Sequence, residues 1–117
     1  MRLNEITYSN AVPIDGYGPG FFRIGGKVMR GPVLVFPTGV VAWDGFTDSA
    51  AILERAADVD VVLVGTGAEI AHLPVDFREV LEEAGIGFES MASPAACRTY
   101  NVLLSEGRRV AVALIPV

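Results

Sequence analysis

The segment that most constrains the fold is a continuous apolar run, VDVVLV, from Val59 to Val64. Asp60 is its only polar residue, so a strand formed here carries apolar side chains on both faces. Such a strand is typical of a central position in a sheet that is covered on both sides. We therefore expect a layered fold, and the 51% of residues that are hydrophobic are enough to build its core.

Helix and strand signals alternate downstream of this run. Proline is favoured in the first turn of a helix, glycine just after its end and serine at its N-cap. Alternating strands and helices imply right-handed crossovers and mostly parallel strands. The elements predicted here are a helix starting at Pro74 and ending at Gly85, a strand from Ile86 to Met91, a helix from its N-cap Ser93 that runs to about Ser105 and ends near Gly107, and a closing strand from Val110 to Ile115.

Upstream of the run, turn residues predict two hairpins. Gly25-Gly26 divides the segment from Phe21 to Met29, and both glycines accept a positive φ. Pro37-Thr38-Gly39 separates two further apolar runs, and Thr47 is placed to cap a helix from about Asp48 to Ala57. Hairpin strands cannot all join a sheet in parallel. The 117 residues are therefore predicted to form a single α/β domain with helices packed on a mixed central sheet.

Composition argues against several classes of function. The net charge is −5 and the nine basic residues are scattered, so neither nucleic acid nor an anionic membrane is an expected partner. One cysteine and one histidine cannot form an internal disulfide or supply the four ligands of a structural zinc site. No apolar run reaches the roughly 18–20 residues of a transmembrane segment, and the N-terminus lacks the apolar core of a signal peptide. We expect a cytoplasmic protein that uses no metal and no cofactor.

The central strand ends in a glycine loop, Gly65-Thr66-Gly67, that could turn the chain or hold a ligand. A dinucleotide fingerprint needs a third glycine and a helix that opens directly from the loop. The third glycine is missing, Glu69 would repel a phosphate, and the next helix begins only near Pro74. The pattern favours a tight turn at the carboxyl end of a strand over an anion site.

Cys97 is the candidate nucleophile, because it lies in the first turns of the helix predicted after Ser93. A helix N-terminus favours a thiolate, and Arg98 adds positive charge. Two crossovers would bring the loop that contains His72 to the same sheet edge, where a Cys–His pair could support nucleophilic catalysis. The alternative, which the sequence favours, is a small apolar cysteine packed against the sheet. No catalytic residue is assigned.

The run Arg98-Thr99-Tyr100-Asn101 is unusually polar for the middle of a helix. Threonine and asparagine are mediocre helix formers, and such local conflicts are tolerated where a site or interface needs them. The alternative is that Thr99 and Asn101 satisfy buried backbone groups of nearby turns. The sequence does not separate these two interpretations.

Several stretches together resemble one family, the domain of unknown function 498, over about Gly18 to Pro116. The family includes the mitochondrial assembly factor 3 of respiratory complex I and an adipogenesis-associated cytosolic protein. Its most specific features here are the glycine loop and the run from Ala96 to Asn101. The segments that carry the resemblance are Gly20 to Gly26, Gly31-Pro32-Val33-Leu34 leading to Trp43, Val62 to Gly67, Ser93 to Asn101 and Ala113 to Pro116.

The resemblance implies a three-layer fold and a closing strand that runs antiparallel to its neighbours. It implies no established catalytic activity, but a surface or cleft formed by the residues of the glycine loop and of the Cys97–Asn101 run. Without a transit peptide the chain is expected to be bacterial. The leading hypothesis is a non-enzymatic binding or assembly module with a protein partner, possible partners being respiratory complex subunits. The rival is a small-molecule or anion-binding protein, or a thiol-dependent enzyme. The candidate cleft or interface comprises Gly65, Thr66, Gly67, His72, Cys97, Arg98, Thr99, Tyr100 and Asn101.

Overall fold

Two β-sheets organise the protein in the computed structural model, which describes residues 12–117. The first is antiparallel and consists of β1 (Ile14–Gly18), β2 (Phe21–Ile24) and β3 (Lys27–Arg30). The second contains β4 (Val33–Phe36), β5 (Gly39–Ala42), β6 (Val61–Thr66), β7 (Gly87–Met91) and β8 (Val110–Ile115). Its strands lie in the order β5-β4-β8-β6-β7.

Three α-helices connect or flank these strands. They are α1 (Ala50–Leu53), α2 (Val75–Glu83) and α3 (Ser93–Ser105). Gly85, with a φ of 75°, and Gly107, with a φ of 76°, follow the ends of α2 and α3. These ends agree with the prediction, because glycine adopts the left-handed conformation that terminates a helix without a steric cost.

The five-stranded sheet is mixed, as predicted. β8 lies in its interior, parallel to β6 and antiparallel to β4. The antiparallel arrangement implied by the family resemblance is therefore correct for β4 and wrong for β6. The right-handed crossovers through α2 and α3 place β6, β7 and β8 in one direction, whereas β4 enters from the hairpin with β5.

The sheet is covered on both faces, which gives the fold its three layers. On one face, α1 and α2 cover Leu34, Val62 and Val64, together with the buried aromatic residues Trp43 and Phe77. On the other face, α3 and the three-stranded sheet enclose a second core cluster, consisting of Ile14, Phe22, Ile24, Val33, Val35, Leu63, Ala96, Cys97, Tyr100, Val110, Val112 and Leu114. The expected α/β class and three layers are confirmed, and the first hairpin forms a separate sheet within one outer layer.

Both predicted hairpins are present. Gly25 and Gly26 have φ values of 58° and 81° in the turn between β2 and β3. The second hairpin pairs Phe36 with Gly39 across the predicted turn between β4 and β5. Positive φ values are accessible to glycine without a steric cost, so the sequence signal at Gly25-Gly26 is a direct consequence of backbone geometry.

The prediction of a single helix from Asp48 to Ala57 is wrong. Only the four residues of α1 are α-helical, and 3₁₀ turns lie on either side, at Gly45–Thr47 and Ala56–Asp58. Thr47 does not cap α1, since its hydroxyl instead lies 3.5 Å from the carbonyl oxygen of Asp44. Trp43 donates its indole N–H to the Asp48 carbonyl at 2.8 Å, which ties this segment to the preceding turn.

The central strand begins two residues later than predicted. The Val59 N–H donates to the carbonyl of Ala56, and the Asp60 N–H donates to the carbonyl of Arg109, before pairing with the neighbouring strands starts at Val61. The strand therefore extends through Gly65 and Thr66, which brings part of the glycine loop into the sheet. None of the helices in residues 12–117 is long and apolar enough to cross a membrane.

Candidate functional site

Ser93 joins three segments at the edge of the sheet where β6 and β8 end. Its hydroxyl accepts a hydrogen bond from the Gly67 N–H at 2.9 Å and donates to the Ile115 carbonyl at 2.6 Å. Its own N–H donates to the Gly67 carbonyl at 2.7 Å. Ser93 is 0% exposed, and its bond with the Gly67 N–H is buried, whereas its bond with the Ile115 carbonyl is partly buried. We refer to Ser93, its hydrogen-bond partners Gly67 and Ile115, and Gly65, which lies against Ser93, as the Ser93 cluster.

The assignment of Ser93 as an N-cap is therefore wrong. α3 begins at Ser93 itself, the extended residue Ala92 occupies the cap position, and no side chain caps the helix. Pro94 is still in the first turn, as predicted. The hydroxyl that the sequence suggested as a cap is used across the fold, because the ends of β6 and β8 present an amide and a carbonyl to it.

The two glycines of the loop have different structural causes. A Cβ atom on Gly65 would lie 2.7 Å from the Ser93 Oγ, 2.8 Å from the Leu114 Cδ2 and 2.9 Å from the Ser93 Cα, so only glycine fits without movement. Gly67 has a φ of 106°, a region that residues with a Cβ rarely adopt. Close packing and backbone conformation thus account for both glycines.

Thr66 fixes the loop that follows β6. Its hydroxyl faces the carbonyl oxygens of Glu69 at 2.8 Å and Met91 at 3.2 Å, and accepts a hydrogen bond from the Ala71 N–H at 3.0 Å. A single hydroxyl therefore holds two residues of the loop and the end of β7 together. This arrangement explains why a polar residue stands at the end of an apolar strand.

Three of the amides that could hold an anion at this edge, those of Gly67, Ser93 and Ala96, are engaged within the fold. The Gly67 N–H donates to the Ser93 hydroxyl, and the Ser93 N–H donates to the Gly67 carbonyl. The Ala96 N–H donates to the carbonyl of Ala92. Pro94 has no N–H to offer. The geometry gives the glycine loop and the start of α3 a structural role.

Cys97 is buried in the core between α3 and the sheet, with 5% of its surface exposed. Burial raises the pKa of its thiol to about 11, and the nearby charge of Arg98 only partly opposes that change. At neutral pH the thiolate fraction is then on the order of 0.01%, far below that of a reactive cysteine. Cys97 packs as an apolar side chain.

His72 lies on the surface, where it lines a shallow depression of about 310 Å³ with Ile70, Ala71 and Ser90. Cys97 is not among these residues, and no hydrogen bond joins it to His72 in the described part of the chain. The structure therefore does not assemble the two into a catalytic pair. Residues 12–117 also contain no group of three or more His, Cys, Asp or Glu side chains arranged to hold a metal ion.

Asn101 connects the outer sheet to α3. Its Oδ1 accepts a hydrogen bond from the Ile14 N–H and its Nδ2 donates to the Ile14 carbonyl, both at 2.9 Å. The side-chain amide thus pairs with β1 as a neighbouring strand would. Of the two interpretations of this polar run, satisfaction of backbone groups is the one that the geometry supports at Asn101, although the groups belong to a strand.

The remaining residues of the run point in different directions. Arg98 is exposed and Thr99 is half-buried. Tyr100 is fully buried, and its hydroxyl has no hydrogen-bond partner among residues 12–117. Burial raises the pKa of this phenol well above its usual range. The nine candidate residues are therefore distributed between a structural cluster, the core and the surface, and do not line one pocket.

Sequence reasoning missed an open groove between α2 and the segment before α1. Its volume is about 370 Å³. Phe46 and Phe77 form its aromatic part, with ring centroids 5.1 Å apart, and Trp43 packs behind both rings. The lining residues are Phe46, Thr47, Ser49, Pro74, Asp76, Phe77 and Val80. Phe46 and Phe77 are 31 residues apart in the sequence, so no local pattern could show that their rings meet.

Comparison with known proteins identifies the family. The model of a family described as a protein of unknown function, DUF498/DUF598, matches residues 14–115. The chain belongs to this family, as the sequence resemblance predicted.

Relatives extend the match over nearly the whole chain. An uncharacterized protein of Rhodobacter capsulatus is 51% identical over 116 residues, which cover 99% of this chain and 94% of the relative. A Danio rerio protein named NADH dehydrogenase (ubiquinone) 1 alpha subcomplex assembly factor 3 is 34% identical over 123 residues, covering 99% of this chain and 71% of the relative. A crystal structure described as an outer membrane protein from Bartonella henselae superposes with a TM-score of 0.80 at 38% identity, covering 90% of this chain and 94% of the other.

Proposed function

We propose that this protein is a non-enzymatic, protein-binding assembly factor that acts in the biogenesis of respiratory complex I. The observation that carries the proposal is the relation to the complex I assembly factor 3 proteins. The match to the Danio rerio protein covers 99% of this chain, so it includes the sheet, α2 and α3 together. A whole-domain match of this kind makes a shared binding role the simplest explanation.

The chemistry of the candidate residues supports a non-enzymatic role. Cys97 is a buried thiol with a raised pKa, and His72 lies apart from it on the surface. The Ser93 hydroxyl uses its donor and acceptor on backbone groups. Cys97 and Ser93 thus contribute to a stable framework, which a binding module needs.

The proposal places the protein in the bacterial cytoplasm, in contact with complex I subunits before they join the complex. The bacterial setting is supported by the 51% identity to the Rhodobacter capsulatus protein. The expected partner is a protein, and the contact is expected to be transient, because an assembly factor has to leave the finished complex.

A gene deletion in the host bacterium tests the proposal. Membranes from the deletion strain are assayed for NADH:ubiquinone oxidoreductase activity and, on native gels, for assembled complex I. We expect both to fall while succinate oxidation in the same membranes stays at the wild-type level. Expression of the intact protein should restore complex I. Unchanged complex I in the deletion strain, under growth conditions that require it, would refute the proposal.

A further inference from the structure

Charge is distributed unequally between the two outer layers of the fold. The helical layer, residues 43–60 and 69–86, carries ten of the fourteen acidic residues and two arginines of its own, and Arg109 from outside these ranges bonds to the Asp60 carboxylate and the Ala57 carbonyl. The opposite layer, residues 12–31 and 93–107, carries two acidic and four basic residues. The helical layer therefore presents a negative surface, although the basic residues are scattered in the sequence.

The groove between α2 and the Gly45–Thr47 turn opens on this negative side. Phe77 forms a buried wall at 1% exposure, and Phe46 and Val80 are partly accessible. Asp76 lines the groove directly, and Glu79 and Glu83 follow it on α2 at spacings of three and seven residues, which places them along the same side of the helix.

We propose that this groove docks a basic segment of a protein partner, with a large apolar side chain inserted between Phe46 and Val80 and lysine or arginine side chains facing Asp76, Glu79 and Glu83. An apolar floor beside a row of carboxylates is complementary to a segment that combines these two chemistries. The inference rests on the proposed function only in assuming that the protein has a protein partner.

The other outer face favours a different partner chemistry and serves as the competing surface. The outer side of the three-stranded sheet carries Arg23 opposite Val28, and Arg30 beside the ring of Phe21 at 6.0 Å. These basic side chains favour an acidic segment as the partner of that face. The two faces therefore make opposite demands on the partner, so an experiment can separate them.

Site-specific photo-crosslinking locates the contact. The photoreactive amino acid p-benzoylphenylalanine replaces Thr47, which is exposed at the groove, or Arg23, which is exposed on the opposite layer. The full-length protein is irradiated in the host cells, and the crosslinked peptides are sequenced by mass spectrometry. We expect position 47 to capture a net-positive segment that contains a large apolar residue, and position 23 to capture much less.

Synthetic peptides of the captured segment then measure the charge contribution by fluorescence anisotropy. Asp76→Lys is compared with Glu106→Lys, which makes the same charge change at an exposed residue just after α3. We expect Asp76→Lys to weaken binding about 3- to 10-fold at low salt, and the difference to shrink at high salt, because exposed ion pairs are screened. Glu106→Lys should change the affinity less than about 2-fold. Circular dichroism confirms that both variants are folded.

The possible outcomes separate the docking site from the proposed function. Capture of a complex I subunit at position 23 alone overturns the groove inference and leaves the assembly role intact. Capture at position 47 of a basic segment from a protein unrelated to complex I supports the groove and argues against the assembly role. An acidic captured segment, equal effects of the two charge reversals, or no capture at either position overturns the groove inference.

Discussion

The replacement Ser93→Ala tests the structural role of the Ser93 cluster directly. The change removes a hydroxyl that is 0% exposed and leaves the Gly67 N–H and the Ile115 carbonyl without that partner. A buried polar group that loses its hydrogen bond costs about 1–3 kcal/mol. Two groups lose a partner, which would cost about 2–6 kcal/mol in total if neither could adjust. Because relaxation at the end of β8 recovers part of this cost, we expect the free energy of unfolding to fall by about 2–4 kcal/mol. That is a large share of the roughly 5–15 kcal/mol typical of a domain.

The matched control is Ser105→Ala, in the last turn of the same helix. The Ser105 hydroxyl also donates to a carbonyl, that of Val102 at 2.7 Å, but it is exposed and water can replace it. We expect this variant to change the free energy of unfolding by less than about 0.5 kcal/mol. The two serines therefore differ in burial and in the distance along the chain that their bonds span, and both changes remove a single oxygen atom.

Equilibrium unfolding in urea, followed by circular dichroism, measures both variants under identical conditions. At a slope of about 2 kcal/mol per molar, Ser93→Ala should lower the midpoint by roughly 1–2 M, with little change in the slope itself. Hydrogen exchange at the Gly67 amide should also become faster in Ser93→Ala. Equal midpoints for the two variants, or an unchanged Gly67 exchange rate, would show that the cluster contributes little to stability.

Three further predictions follow from the same structure. Gly65→Ala places a methyl group within 2.9 Å of Ser93 and Leu114 and should cost about 1–3 kcal/mol in urea unfolding; a neutral effect would contradict the packing argument. Cys97 should resist iodoacetamide at neutral pH until the protein unfolds. Because the pKa of its thiol is raised from 9.0 to about 11 in the folded protein, the free energy of unfolding should also fall as the pH rises from about 9 to about 11. Cys97→Ala should reduce this fall. Asn101→Asp replaces the donor to the Ile14 carbonyl by an acceptor, so the free energy of unfolding in urea should fall by about 1–3 kcal/mol. The Ile14 amide should also exchange faster. Unchanged exchange at Ile14 would argue against the pairing.

The features that the sequence predicted well are those decided by local chemistry. The apolar run that includes Val62 and Val64 required cover on both faces, and the structure provides it. Gly25-Gly26 and Gly85 mark a turn and a helix end because a positive φ is a property of the residue itself. These signals need no knowledge of distant parts of the chain.

The errors arise where a distant contact decides the structure. The hydroxyl of Ser93 could cap a helix or bond across the sheet edge, and the choice depends on Ile115, which is 22 residues away. Asn101 satisfies the backbone of Ile14, 87 residues away, so its partner could not be inferred from neighbouring residues. The segment after Thr47 is rich in alanine, leucine, glutamate and arginine, which are good helix formers, yet only Ala50–Leu53 is α-helical, so local propensity did not decide its structure.

The candidate site was predicted as one cleft because two crossovers bring the ends of β6 and β7 to one edge. That edge does bring Gly65, Gly67 and the start of α3 together. The sequence could not show that the groups which meet there satisfy one another, since this depends on distances of a few tenths of an ångström. The core position of Cys97, by contrast, agrees with the packed cysteine that the sequence favoured.

The Ser93 cluster also has a consequence for how the protein folds. Its hydrogen bonds connect residues 26 and 22 positions apart and require that β6, α3 and β8 are already in place. Contacts of this kind are expected to be absent from the folding transition state, so their loss should accelerate unfolding and leave the folding rate almost unchanged. We therefore expect the cluster to slow unfolding, and so to lengthen the lifetime of the native state after the three layers have formed.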